Sequence, residues 1–265
     1  LLEERVMKKA FLLVVCFTLV FVACATVEYT DRKRLLLINE QEEEELGKEA
    51  FQQVLMESTL STNEEQVDAL NSVGVRIAAV ADRPEYEWEF VLIDDPDTVN
   101  AFALPGGKVA FYSGIMPVCR TKSGIAVVMG HEVGHVVARH GAERMSQGLV
   151  TGLAGAALQA AITGKSPEAQ AAIMNGYGIA ATTGVLLPFS RKHESEADYI
   201  GLILMAKAGY NPQEAVAFWE RMSEMSGGSA PPEFLSTHPS NVKRIEDLRA
   251  ALPEAMQYYR ASRNR

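Results

Sequence analysis

His131, Glu132 and His135 carry the clearest chemical implication in the chain. In His131-Glu132-Val133-Gly134-His135 two histidines stand four positions apart with an acid beside the first, the H-E-x-x-H arrangement. Four residues advance an α-helix by slightly more than one turn, so both imidazoles leave one face and can converge on one cation. Glu132 sits beside that face, where it can take a proton from a water whose pKa zinc lowers to about 7. Two imidazoles make half a tetrahedral site; a catalytic zinc needs a third protein ligand and one open position. A metzincin would continue with glycine at 138 and histidine at 141. Ala138 and Gly141 stand there, which excludes that branch and leaves His140 as a solvated side chain. The other solution is a glutamate from a second helix, and Glu194-Ser195-Glu196-Ala197-Asp198 offers one. Glu194 and Asp198 share a helical face, so one can bind metal while the other accepts a proton from a ligand imidazole; Glu196 points elsewhere. Alone, that segment reads as a charged helix surface with local ion pairs, but beside an H-E-x-x-H the metal reading takes precedence.

These residues need helices to present them. The spacing predicts a helix from Ser123 to about Met145, opened by a capping Ser or Thr, for the histidines, and one over 190–208 for Glu194. Upstream, Asn39–Leu60 and residues 64–81 follow helical spacing. Trp88–Ile93, Asn100–Leu104 and Lys108–Tyr112 read as strands, the last two around the turn Pro105-Gly106-Gly107. Residues 149–187 are rich in Ala and Gly and split near 164–168. They read as a packed helical hairpin, with a membrane-facing role as the lesser alternative. Pro212–Met225 and Val242–Leu252 supply two more helices. The fold class expected is α+β, mainly helical with one small antiparallel sheet.

With 48% apolar and 22% charged residues, the 265-residue chain can bury a substantial core. A net charge of −9 without a basic stripe argues against a nucleic-acid partner. Nucleotide sites are excluded too. Gly176-Tyr177-Gly178-Ile179-Ala180-Ala181 follows a helical stretch instead of a strand, and Gln159 replaces the first glycine that a P-loop ending in Gly164-Lys165-Ser166 requires.

Residues 1–23 read as a signal peptide: Lys8 and Lys9, an apolar run from Ala10 to Val22, and Ala23 before Cys24. Cys24 after a small residue resembles the bacterial lipobox, in which the cysteine is acylated; an uncleaved anchor with a chance cysteine is the alternative. Three cations and two anions leave with the leader, taking the formal charge from −9 to −10. The organisation expected is a signal peptide at 1–23, a lipidated tether at 24–38 and a metallopeptidase domain at 39–265. Ala25, in place of an aspartate that retains lipoproteins at the inner membrane, implies the periplasmic face of a bacterial outer membrane. Cys16 leaves and Cys24 carries lipid, so Cys119 stands alone, as a buried apolar residue or in an intermolecular bridge.

Four separated blocks resemble the HtpX and CAAX-prenyl-protease type of zinc metallopeptidase, a gluzincin family, and most closely its soluble periplasmic lipoprotein branch of the BepA and LoiP type. They are Asn100–Gly107, the H-E-x-x-H helix, Ser190–Asp198, and Thr237-His238-Pro239 followed by Arg244-Ile245. The resemblance implies one zinc per chain, held by His131, His135 and Glu194, with Asp198 orienting the site. It places His238 and Arg244 near the open metal position to support an oxyanion, although in some relatives the equivalent histidine fills that position and restrains activity. Asn100, Ala101, Phe102 and Ala103 correspond to an edge strand that pairs with extended substrate, a plain hairpin being the other reading. The function implied is a metalloendopeptidase acting on unfolded or misassembled envelope proteins, with Glu132 as base. Two rivals are a lipid-tethered chaperone or assembly factor that keeps a non-catalytic zinc site, and a structural zinc protein with a closed fourth position.

Overall fold

The computed structural model describes residues 24–225, 232–238 and 242–264; the leader at 1–23 and Pro239 lie outside the described residues. In chain order the elements are β1 (Cys24–Thr26), β2 (Lys33–Leu35), α1 (Glu40–Glu57), α2 (Glu64–Ala78), β3 (Glu89–Ile93), β4 (Ala101–Leu104) and β5 (Lys108–Tyr112). There follow α3 (Met116–Cys119), α4 (Lys122–Val137), α5 (His140–Ala161), α6 (Pro167–Ala181), α7 (Leu187–Lys207), α8 (Gln213–Met225), α9 (Glu233–Thr237) and α10 (Val242–Arg263). The described residues divide into two units, one built from 24–39 with 142–181, the other from 40–141 with those described after 181.

In the first unit the stretch expected as a tether pairs as an antiparallel hairpin, Cys24 opposite Leu35. Arg32 fixes it through two parallel bonds to the Glu143 carboxylate, at 2.8 and 2.7 Å, the bidentate geometry that makes such a pair directional. The Leu37 amide donates to Ser146 Oγ at 2.9 Å. Helices α5 and α6 form the expected small-residue hairpin: the Tyr177 hydroxyl donates to the Thr151 carbonyl, and its ring lies against Gly155. No residue of α6 is buried, and Leu149, Leu153 and Ile179 are exposed. By length and composition alone, the helical run Pro167–Lys207 is long and apolar enough to cross a membrane.

The second unit carries the motif residues. Its sheet has the order β3-β5-β4, with β4 and β5 antiparallel and β3 and β5 parallel. The sheet is therefore mixed instead of wholly antiparallel. Residues 94–107 form the crossover that a parallel pair requires: they carry the chain to the outer edge as β4, and the turn at Gly106 and Gly107, both at positive φ, returns β5 between its neighbours. Lining the sheet and α4 are Val109, Phe111, Leu70, Ile77, Met129 and Val133, all fully buried. Cys119 is fully buried as well, and burial pushes its thiol up to about 12, which makes it an inert core residue.

Helix α4 starts at Thr121, whose hydroxyl accepts from the Gly124 amide at 3.1 Å. It stops short of the expected Met145 because Arg139 adopts φ 52°, a left-handed conformation that breaks the helix before α5 begins at His140. Nearly every residue of α4 is buried, so it is a central helix and not an amphipathic surface one. Helix α10 runs on through Pro253 to Arg263; Ala255 is buried and Ser262 bonds the Ala206 carbonyl of α7, so packing overrides the breaker.

Glycines set how closely α4 and α7 cross. A Cβ on Gly201 would fall 2.6 Å from the backbone of Gly130 and His131, and one on Gly134 would meet the Ala197 carbonyl at 2.8 Å. The two backbones touch, which lets short side chains on α7 reach the α4 histidines. Alanine is normally the better helix former by about 1 kcal/mol, whereas overpacking costs about 1–3 kcal/mol. Gly201→Ala is therefore expected to destabilise the protein by about 1–3 kcal/mol in urea unfolding and to weaken metal binding. A stabilised variant with unchanged metal affinity would refute this close crossing.

Candidate metal centre

Helices α4 and α7, with the segment after α9, bring four donor side chains together. One ligand atom from each of His131, His135, Glu194 and His238 lies within 4.8 Å of the others, and all four residues are buried. His131 Nε2 is 3.1 Å from His135 Nε2 and 3.3 Å from Glu194 Oε2, and His135 Nε2 is 3.4 Å from Glu194 Oε1. His238 Nδ1 completes the group at 3.0 Å from His131 Nε2 and 2.9 Å from Glu194 Oε2.

Behind these donors lies a second layer. His131 Nδ1 is 2.8 Å from Asp198 Oδ1, so an N–H there leaves the Nε2 lone pair facing the cluster. Of the two acids on the shared α7 face, Glu194 faces the donors and Asp198 backs His131. Arg244 donates to Asp198 Oδ1 at 2.6 Å, approaches Glu194 Oε2 to 3.6 Å, and lies 3.4 Å over the Trp219 ring. Its guanidinium thus sits behind the histidines, held by an acid and an indole. Glu132, on the same helix as the histidines, has Oε1 3.4 Å from His238 Nε2, and the Ala103 main chain of β4 also bonds its carboxylate.

Burial is the largest influence on His131, Glu132, His135 and Glu194; it sets the direction for His135 and Glu132, and bonded partners overturn it for His131 and Glu194. Burial pushes His135 well below the ordinary imidazole range. It opposes a proton on His131 as well, but bonds to Asp198 and Glu194 outweigh it and lift that imidazole to about 9. Burial would raise Glu194, yet bonds from His131, His135 and His238 hold it well below the usual carboxylate range. Glu132 is raised by burial, against the lowering effect of His238 and His131.

The site fits a cation on its own chemistry. Converging imidazole nitrogens and a carboxylate 2.9–3.4 Å apart bring lone pairs together, an arrangement that positive charge between them would stabilise. Glu132 Oε1 is buried without a hydrogen-bond partner among the described residues, as expected of an acceptor built to face something beyond the protein. Nitrogen and carboxylate donors in this number suit a borderline ion such as zinc better than calcium or magnesium, which prefer all-oxygen sites.

One residue stands apart from the sequence reading. His140 is fully buried where a solvated side chain was expected; its Nδ1 lies 2.9 Å from His135 Nδ1 and its Nε2 2.9 Å from Glu196 Oε2. Residue 140 stands five positions beyond 135, which on a continuous helix is about 140° away, and the break at Arg139 turns it back. No local signal marks it: the break falls at Arg139, and Gly141 lies inside α5.

An α-helical motif pair and a glutamate from a closely crossing second helix, flanked by a small sheet, are the arrangement of a zincin-type domain. The chain belongs to peptidase family M48, whose sequence profile matches residues 64–252. It is 38% identical over 238 residues to the mitochondrial metalloendopeptidase OMA1 of Schizosaccharomyces pombe, across 86% of this chain and 66% of that relative. The mitochondrial metalloendopeptidase OMA1 of Saccharomyces cerevisiae is 40% identical over 182 residues, 66% of this chain and 50% of its own. The beta-barrel assembly-enhancing protease of Escherichia coli K12 is 33% identical over 184 residues, 68% of this chain and 37% of its own. The chain thus spans about two thirds or less of the length of these relatives. The bacterial-envelope address expected from the leader is overturned: fungal, plant and zebrafish relatives are named as mitochondrial enzymes.

Proposed function

We propose that this protein is a zinc-dependent endopeptidase that cleaves extended segments of unfolded or misassembled proteins, as a quality-control activity. The observation that carries this reading is the convergence of His131, His135 and Glu194 beside Glu132, with the β4 main chain touching that same carboxylate. His131 and His135, through Nε2, and Glu194 would hold one zinc per chain. Bound there, zinc would polarise the scissile carbonyl and acidify a water.

Glu132 then acts as the proton carrier, accepting a proton from the attacking water and returning it to the leaving amine. Its raised affinity for protons, caused first by burial, suits both halves of that task. Asp198 keeps His131 in the tautomer whose Nε2 lone pair faces inward, and Arg244 holds Asp198 while its Nη1 edge leans toward the donors. That engagement supports a positioning role for Arg244 alongside charge stabilisation. His238, seated among the donors, supports the restraining role: substrate would enter only as its imidazole withdraws.

Strand β4 is an edge strand, in keeping with main-chain pairing between an extended peptide and Asn100–Ala103. Asn100 is tied to Glu233 at 3.1 Å, and the Phe234 amide bonds the Val99 carbonyl, so that strand and the His238 segment are linked. A relative named for enhancing β-barrel assembly gives the quality-control reading its support. The test is metal removal. Protein stripped by a chelator is expected to lose cleavage of unstructured casein and to regain it on addition of one equivalent of zinc but not magnesium. Cleavage that persists in stripped protein would overturn the reading.

A further inference from the structure

The assignment of His135 as a metal ligand leaves unexplained a buried polar cluster on the far side of its ring. His140 at the start of α5, and His193 and Glu196 on α7, are all buried, the first completely. His140 Nε2 lies 2.9 Å from Glu196 Oε2, its Nδ1 lies 2.9 Å from His135 Nδ1, and its ring stacks on that of His193 with centroids 4.3 Å apart. Placing an imidazole here required a left-handed residue at Arg139, a conformation that costs about 1–2 kcal/mol for a side chain with a Cβ.

We infer that Glu196 and His140 form a relay that fixes the tautomer of His135, so that both are positioning residues for the metal site. The argument is one of donors and acceptors. A carboxylate only accepts, so His140 must present N–H at Nε2 to Glu196. In a neutral ring that leaves His140 Nδ1 as an acceptor. The hydrogen at the Nδ1–Nδ1 contact then belongs to His135, and the lone pair of His135 Nε2 is turned toward Glu194 and His131. The opposite assignment would put a hydrogen on the nitrogen that must bind metal. His131 receives the same service from Asp198 directly, at 2.8 Å; for His135 the carboxylate acts through one intervening imidazole. The stack on His193 holds the intermediate ring in plane.

This inference rests on the zinc reading of the site, and its test separates the two. Zinc affinity would be measured by competition with a chromophoric chelator for the full chain and for His140→Phe, Glu196→Ala and Glu196→Gln, with the visible spectrum of each cobalt-substituted form and the Tm of each metal-free form. Removing an outer partner of a ligand histidine typically costs 10–100-fold in metal affinity. His140→Phe and Glu196→Ala are expected to lose about that much and to shift the cobalt bands. Glu196→Gln, whose amide oxygen can still accept from His140 Nε2, should stay near the parent. Should His140→Phe fail to fold, the two Glu196 variants carry the comparison by themselves. Tight zinc in the parent with unchanged affinity and spectrum in Glu196→Ala would overturn the relay alone. A parent that binds no zinc would overturn the relay together with the metallopeptidase reading.

Discussion

Glu132→Gln is expected to lower kcat/KM for casein or an unstructured peptide by about 10²–10⁴-fold, the usual contribution of a positioned acid–base group, while zinc content stays at that of the parent. The substitution is nearly isosteric, so the neighbouring histidines and the Ala103 main chain have no reason to move. What it removes is proton affinity: burial holds the carboxyl ready to take and return a proton, and an amide can do neither. Measured alongside zinc content, the result also separates the enzyme from a chaperone or assembly factor, since a holding activity against aggregation would survive the change. Turnover at the parental rate would show that the base is some other group.

Glu194→Ala should have the second large effect, on metal rather than on chemistry. Loss of the carboxylate strips both imidazole contacts at 3.3 and 3.4 Å and the bond to His238, leaving three imidazoles without the carboxylate that converges with them. Affinity is expected to fall by more than about 100-fold, beyond the range for outer partners. Zinc at 100 times the parental Kd, which stabilises a binding protein by about 2.7 kcal/mol, should then leave the Tm of the variant almost unmoved. Ser195→Ala, on the same helix but outside the cluster, is the control and should respond to zinc as the parent does. A zinc-dependent Tm in Glu194→Ala equal to that of the parent would remove position 194 from the ligand set and the proposed mechanism with it.

Much of this site was legible because its determinants are local. The H-E-x-x-H spacing commits two imidazoles to one helical face whatever the surroundings, and Glu194 and Asp198 share a face by the same arithmetic. The three strands of the main sheet were readable for a similar reason: each is a short apolar run, and Gly106 and Gly107 allow the positive φ of the turn between two of them. Where local signals conflicted with packing, packing won. Pro253 did not end α10, because Ala255 and Ser262 are held against the core.

The sequence by itself determined the reactive pair, the base beside it, a short choice of third ligand, and a largely helical framework, since each depends on residues within one or two turns of one another. Helical spacing left Glu194 and Asp198 as alternatives that only the resemblance separated; tertiary structure alone decided that the sheet is mixed and that His140 turns inward toward His135 and Glu196. The reason is distance along the chain. Contacts such as His140 with Glu196, 56 positions apart, depend on how closely two helices cross and on one left-handed residue at Arg139, and periodicity encodes neither.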